Sequence, residues 1–248
     1  MFKMMVVPAY MPDQFSAWYM LNTHLQKTAD IHIGLVMPES FAEVAQLQKA
    51  TPAAMIYANP FDAGHYVREQ GYRPLVRPRE QFDEVVLVCP ADAAYQRIED
   101  LQAPLRLAVS HNEDANFIGQ RLLEPAGLPE NDVERQHKDN FLMVASAVAR
   151  GQADVGIVSA EVYAHLSDIT RSRLKVLLQS RIKEISHVWL YLPQWQAEAD
   201  ALQPILTQLH TGEPGRQILA SLGMPAGFEI LDEESMAFMI DLVDTLRD

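Results

Sequence analysis

The alternation of short apolar segments with helical stretches, from the start of the chain to Ala58, limits the possible folds most strongly. Segments of strand type, FKMMVV, IHIGLVM and AAMIYA, are separated by stretches whose apolar residues recur at helical spacing. A β-α-β-α-β order implies parallel strands in one sheet, with the helices as crossovers between them. The chain is therefore predicted to have an α/β fold.

A second series of the same kind begins at EVVLVCP, the most continuously apolar segment of the chain. Further strands are predicted in LRLAVS, near Val133 to His137, in ADVGIVSA, in LKVLLQS and in SHVWLYLP. The chain passes twice between the two series, so the second unit is inserted into the first. We predict lobe one in residues 1–88 and 190–248, and lobe two in residues 89–189. A double-crossover hinge and an inter-lobe cleft follow, and such clefts are favoured ligand sites.

Composition excludes several classes of function. A formal net charge of −13 repels nucleic acids and anionic membranes, and no basic patch offsets it. No apolar segment approaches the roughly 20 residues that span a bilayer, so no membrane insertion is expected. The first residues, MFKMMVVPAYMP, lack the apolar core of a signal peptide. As written, the chain is expected in the cytoplasm; if a signal peptide has been removed, the expected location is the periplasm.

The sequence predicts binding without chemistry. The single cysteine, Cys89, lies in the apolar run VVLVCP and is predicted to be a core residue. The histidine residues and the cysteine do not have the spacing of metal ligands, and the sequence has no cofactor-binding motif and no nucleophile motif. We therefore expect no cofactor and no catalytic residue. The alternative is an enzyme that uses the same cleft, with a titratable pair such as His111 and Asp154 facing each other across it.

Four segments resemble one known family in their order and spacing. They are IYANPFDAGHYVREQGYRPLVR, ADAAYQRIEDLQAPLRLAV, GQADVGIVSAEVY and GRQILASLGMPAGFEILDEESMAFMIDLV. Together they are similar to the phosphate/phosphite/phosphonate solute-binding proteins of ABC transporters, which have the type 2 periplasmic binding protein fold. The resemblance implies a two-lobed protein that closes around an anionic or polar small molecule. The implied partner is a transporter permease, or a signalling partner if the protein is a cytosolic sensor.

The resemblance also implies a set of ligand-binding residues. Carried over by position, Tyr57 matches the family's lobe-one tyrosine, His137 its histidine, and Asp154 its acidic residue. The predicted set is completed by residues at or after strand ends, namely Tyr10, Asn59, Ser110, His111, Asn112 and Ser159. Several have structural alternatives: Tyr57 as an aromatic at a strand end, Asn59 as the start of a helix, His137 as a surface residue, and Asp154 as a turn residue.

The segment SHNEDAN, Ser110 to Asn116, departs from the family's hydroxyl-rich turn. A helix that starts there attracts an anion by at most about 2 kcal/mol. Glu113 and Asp114 lie in the same turn, and a like charge at about 4 Å costs near 4 kcal/mol at an effective dielectric of 20. We therefore expect phosphate and simple alkylphosphonates to bind poorly if either carboxylate faces the ligand.

Overall fold

A computed structural model describes residues 1–8 and 14–247, and the chain divides into two compact units. Unit 1 comprises Met1–Phe82 and Glu184–Asp244, and unit 2 comprises Asp83–Lys183 together with the residues from Thr245 onward. The strands are β1 (Phe2–Val6), β2 (Ile33–Val36), β3 (Met55–Ala58), β4 (Arg73–Pro78), β5 (Val85–Pro90), β6 (Leu105–Ser110), β7 (Val133–Lys138), β8 (Val155–Ser159), β9 (Leu174–Gln179), β10 (Val188–Tyr191) and β11 (Phe228–Ile230).

The helices follow the strands in the order that the sequence predicts for the first 58 residues. They are α1 (Phe15–Ala29), α2 (Phe41–Ala50), α3 (Pro60–Gln70), α4 (Glu113–Leu123), α5 (Phe141–Ala149), α6 (Ala160–Ala164), α7 (Asp168–Arg171), α8 (Gln196–Gln208), α9 (Glu213–Ser221) and α10 (Glu233–Arg247).

Unit 1 contains a sheet with the strand order β11-β4-β10-β3-β1-β2. The predicted parallel pairing of the first strands is confirmed, since β1 pairs in parallel with both β2 and β3. Strand β10 enters antiparallel between β3 and β4. On one face, α1, α8 and α9 cover a core that includes the fully buried Trp18 and Trp189. On the other face, α2, α3 and α10 contribute Val44, Tyr66 and Met239 to a second apolar layer.

Unit 2 contains a sheet with the strand order β7-β6-β8-β5-β9. Strands β6, β7 and β8 are parallel, whereas β5 is antiparallel to both of its neighbours. Cys89 in β5 is fully buried, as the apolar run predicts. Helix α4 approaches β8 so closely that a Cβ atom at Gly119 would come within 2.6 Å of Ile157, so this position requires glycine.

The unit boundaries fall about six residues earlier than the sequence predicts. A boundary after residue 88 would cut β5, and one after residue 189 would cut β10, but the structure keeps each strand whole. The end of the chain differs as well, because the residues from Thr245 group with unit 2. There, the guanidinium Nε of Arg121 donates to the carbonyl of Leu246 at 3.0 Å.

Candidate ligand-binding site

Parallel strands bring five of the predicted site residues to one edge of the sheet in unit 2. Ser110 ends β6, and His137 lies opposite Val109 near the end of β7. His111 and Asn112 follow Ser110 directly, so they extend beyond the same edge. Ser159, the last residue of β8, is also at this end because β6 and β8 are parallel. The carboxyl ends of parallel strands are where open α/β sheets bind ligands.

The side chains of His111 and His137 meet at this edge. Their imidazole rings are stacked, with centroids 5.6 Å apart and planes inclined by 17°. Both residues are exposed. Two accessible imidazoles in a fixed arrangement offer hydrogen-bond donors and acceptors to a polar or anionic group.

The first turn of α4 is capped by the chain itself. The amide oxygen of Asn112 accepts a hydrogen bond from the N–H of Ala115 at 2.8 Å, as is typical of an N-cap residue. The N–H of Asn112 donates to the hydroxyl oxygen of Ser110 at 3.2 Å, and the amide of Asn116 donates to the Ser110 carbonyl at 2.9 Å. These bonds fix the conformation of the turn. They also engage some of the backbone N–H groups that would otherwise be free to bind an anion.

Both carboxylates of the SHNEDAN segment lie in this first turn. Glu113 is exposed and Asp114 is half-buried. Carboxylates in a first turn are stabilised by the helix dipole, as a bound anion would be. The chain has therefore supplied part of its own counter-charge at the position where a dianion would otherwise be attracted.

Asp154 lies apart from this group, at the opposite end of the same sheet. It precedes β8, and its carboxylate accepts from Nη2 and Nε of Arg106 at 2.6 and 3.1 Å and from the Arg106 N–H at 2.9 Å. The hydrogen bonds from Arg106 lower the pKa of the Asp154 carboxyl group, against the effect of partial burial. The structure thus gives Asp154 a bridging role between two strands, and does not bring it to Ser110 or His137.

In unit 1, Tyr57 lies at the carboxyl end of β3 and is buried among aromatic rings. Its ring is 5.0 Å from that of Trp18, 5.0 Å from that of Trp189 and 5.3 Å from that of His187. Its hydroxyl group lies 4.0 Å from the sulfur of Met224. Only 5% of Tyr57 is exposed, so the ring is part of the core.

Asn59 caps α3. Its amide oxygen accepts from the N–H of Asp62 and its amide nitrogen donates to the Asp62 carboxylate, both at 2.8 Å, and Pro60 occupies the first position of the helix. Asn59 is 4% exposed. Tyr10, the remaining predicted residue, lies outside the described residues.

Two residues that contact predicted site residues, one in each unit, were missed by the sequence reasoning. His187 precedes β10 and stacks on Tyr57, and Asn116 anchors the Ser110 turn from within α4. Because Val188 pairs with Ala58 in antiparallel orientation, His187 lies at the same edge of the sheet as the end of β3. A correct assignment of the direction of β10 would have predicted this position for His187. Within the described residues, no group of three or more His, Cys, Asp or Glu is placed to hold a metal ion.

Solved structures share this fold at low sequence identity. PhnD1 from Prochlorococcus marinus, in complex with methylphosphonate, has a TM-score of 0.81 and 12% identity, covering 99% of this chain and 98% of its own. XAC2383 from Xanthomonas citri, bound to ATP, has a TM-score of 0.78 and 13% identity, covering 100% and 98%. The sulfonate-binding protein SsuA from Escherichia coli has a TM-score of 0.70 and 12% identity, covering 99% and 91%.

These likenesses define the class of fold as that of the type 2 periplasmic binding proteins, as the sequence predicted. A family model then assigns the chain within that class: residues 4–236 match the family described as ABC transporter, phosphonate, periplasmic substrate-binding protein. The chain belongs to this family of transport receptors, which bind small-molecule ligands for a transporter permease. No curated protein sequence matches the chain.

Family membership decides between the two classes of function that the sequence left open. The family consists of substrate-binding proteins, so the alternative of an enzyme in the same cleft is not supported. None of the helices in the described part of the chain is both long and apolar enough to cross a membrane.

Proposed function

We propose that this protein is a receptor that captures a polar or singly charged organic solute at the carboxyl edge of the sheet in unit 2. The observation that carries the proposal is the stacked, exposed pair His111–His137 beside Ser110. The pair and the Ser110 hydroxyl supply hydrogen bonds of both polarities, which suits an oxygen-rich head group. Asn112 and Ser159 complete the proposed site.

Charge separates this ligand class from phosphate. The N-terminal turn of α4 is capped by Asn112 and carries Glu113 and Asp114. The repulsion energy between these carboxylates and a dianion is about twice that for a monoanion, and a neutral polar group is not repelled. We therefore favour a sulfonate-like monoanion or a neutral head group over a phosphonate dianion, although methylphosphonate is the ligand named for the structure of PhnD1.

Calorimetry at low salt tests this charge selection. Inorganic phosphate, phosphite and methylphosphonate are titrated into the protein in parallel with methanesulfonate and longer alkanesulfonates. We expect no micromolar binding of the three phosphorus compounds, and micromolar binding of any of them would overturn the proposed selection. In the double variant Glu113→Gln, Asp114→Asn, which removes both charges with little change of shape, the affinity for methylphosphonate should rise.

The proposed function includes a role for each unit and a cellular compartment for the protein. We propose that the units act as the two lobes of a type 2 binding protein and close around the ligand, with Tyr57 and its aromatic neighbours as the rigid part of unit 1. Family membership supports the periplasm as the compartment and an ABC permease as the partner. Ligand-dependent compaction, measured by small-angle X-ray scattering, would support closure; an unchanged radius of gyration at saturating ligand would contradict it.

A further inference from the structure

Strand β9 is an outermost strand of the sheet in unit 2, and it pairs with β5 alone. Alternate residues of an antiparallel strand direct their N–H and C=O groups away from the neighbouring strand. Within residues 1–8 and 14–247, no backbone group of residues 174–179 forms a hydrogen bond outside the ladder with β5. The outer side of β9 therefore presents a row of unpaired backbone donors and acceptors.

The side chains of β9 leave this outer side accessible. Val176 is 37% exposed, Gln179 is exposed, and Leu177 and Leu178 are half-buried. The strand has six residues, which span about 20 Å at 3.3 Å per residue. It is long enough to accept an added strand, which is one of the recurring ways in which proteins bind extended peptides.

The residues around β9 carry charges of one sign, although the chain as a whole has a net charge of −13. Residues 169–183 contain no Asp or Glu and hold 5 of the chain's 20 basic residues, namely Arg171, Arg173, Lys175, Arg181 and Lys183. Two of these residues precede β9, one is within it and two follow it. The sequence alone did not predict a basic patch, because five uncharged residues separate Lys175 from Arg181. We call residues 171–183 the β9 strip.

Three cations of the β9 strip are available to a partner. Arg173, Arg181 and Lys183 are exposed, and none of them forms an ion pair within the part of the chain that the structure describes. Lys175 is already engaged, because its ammonium group donates to the Ala93 carbonyl at 2.8 Å. The available cations lie on both sides of the strand, so they can meet carboxylates along an extended segment.

The opposite edge strand of the same sheet, β7, carries charges of both signs. Glu134 and Arg135 are adjacent on it, and Lys138 is its last residue. Arg135 also pairs with Glu130 at 3.4 Å. The excess of positive charge is therefore specific to the β9 edge and is not shared by the other edge of the sheet.

We propose that the β9 edge is a docking surface for an extended acidic segment of a partner protein, which adds to the sheet beside β9. The backbone of the segment pairs with the unpaired groups of β9, and its carboxylates meet Arg173, Arg181 and Lys183. Charges on an edge strand disfavour pairing in general, but charges of one sign repel a second β9 strand and attract an acidic one. An anionic lipid surface could use the cations, but it would leave the unpaired backbone groups unused. An acidic peptide uses both features.

Fluorescence anisotropy with the full chain and a labelled peptide, acetyl-Glu-Val-Glu-Val-Glu-Val-amide, tests the proposal at low salt. We expect saturable binding, and no binding of the peptide in which Lys replaces each Glu. N-methylation of every residue removes the backbone donors and keeps the charges, and it should weaken binding tenfold or more.

Variants of the protein test the same surface from the other side. The double variant Arg173→Gln, Arg181→Gln should weaken binding of the acidic peptide tenfold or more. Arg135→Gln, on the opposite edge strand, is the matched control and should bind the peptide as the unaltered protein does.

Three results would overturn the proposal. The first is the absence of saturable binding of the acidic peptide. The second is equal binding of the N-methylated peptide, which would reduce the interaction to charge alone. The third is binding of phosphatidylglycerol vesicles that the double variant abolishes, in a protein whose affinity for the peptide the double variant leaves unchanged, since the cations would then serve a lipid surface. None of these measurements uses a solute, so their outcome is independent of the proposed function.

Discussion

The carboxyl edges of the two sheets hold the same position in their topology and use it differently. In unit 1, Tyr57 and Asn59 are buried and engaged, one in an aromatic cluster and the other as a helix cap. In unit 2, His111 and His137 are exposed and stacked on each other. The difference shows that one edge is packed into the core of its unit, whereas the other keeps its side chains accessible.

The largest expected effect is in the aromatic cluster of unit 1. Tyr57→Ala removes a buried ring from between Trp18 and Trp189, and should lower the free energy of unfolding by about 3–5 kcal/mol. Tyr57→Phe retains the ring and should cost about 1 kcal/mol or less. Urea denaturation measures both. A Tyr57→Ala variant as stable as Tyr57→Phe would show that this edge is not part of the core.

A smaller effect on stability is expected at the amino end of the sheet in unit 2. Asp154→Ala leaves the Arg106 guanidinium and N–H without their acceptor, and should lower the free energy of unfolding by about 2 kcal/mol. Solute affinity should change less than about twofold, because Asp154 is distant from Ser110 along the strands. Asp168→Ala is the control: its carboxylate, which pairs with Arg171, is 99% exposed, and the substitution should cost about 0.5 kcal/mol or less. A large loss of affinity in Asp154→Ala would return this residue to the solute site.

The same carboxylate predicts a dependence on pH. Arg106 lowers the pKa of Asp154 in the folded state, so the stabilisation is present above the unfolded-state pKa, about 3.9. It is lost as the pH falls through the lower folded-state pKa. The stability difference between the unaltered protein and Asp154→Asn should therefore be constant above about pH 5 and shrink below about pH 4. Urea unfolding at a series of pH values measures it, and a difference that grows on acidification would contradict the assignment.

At the carboxyl edge of the sheet in unit 2, a substitution should change the affinity for the proposed solute and leave the free energy of unfolding nearly unchanged. His137→Ala removes one ring of the stacked pair, and should weaken binding of the tightest sulfonate or polar ligand about tenfold. The free energy of unfolding should stay within about 0.5 kcal/mol because the residue is exposed. His165→Ala, an exposed histidine elsewhere in unit 2, is the matched control. Equal affinities in the two variants would remove His137 from the site.

The smallest effect is expected at Ser159. Ser159→Ala removes one hydroxyl group at the end of β8, and the loss of one neutral hydrogen bond should weaken solute binding between about twofold and tenfold. Calorimetry with the same ligand measures the change. Ser172→Ala removes a hydroxyl group that donates to the carbonyl of Ile169 at 3.0 Å, and it should have no effect. An unchanged affinity in Ser159→Ala would place Ser159 outside the site.

Much of the fold could be predicted because apolar strands alternate with amphipathic helices, and this pattern is visible without tertiary information. Strand β4 was missed because its segment RPLVRP contains two prolines, which lack the N–H of a regular ladder. In the structure Pro74 lies opposite Leu190 and Pro78 opposite Phe228, while Leu75 and Val76 are buried in the core. Pairing with β10 and β11 thus overrides the local preference.

The candidate site could be predicted as far as strand ends could be recognised. Ser110, His137 and Ser159 each lie at the carboxyl end of a parallel strand, so the topology alone brings them to one edge. Asp154 precedes its strand, and the same rule places it at the other edge, although the resemblance to the family suggested otherwise. The burial of Tyr57 could not be predicted, because it depends on Trp189, a residue 132 positions later in the chain.

The central position of β10 has a consequence for the order in which the protein forms during synthesis. β10 joins β3 to β4, but the ribosome makes it only after every strand of unit 2. The first half of unit 1 must therefore wait, with the pairing edges of β3 and β4 open, while all the strands of the inserted unit become available to one another. Domains usually fold as units from the N-terminus onward. In this chain, the sheet of unit 1 is the first to be translated and the last to be completed. While β3 and β4 wait for β10, their open edges can pair with other chains, so this is the stage at which the nascent chain most needs a chaperone.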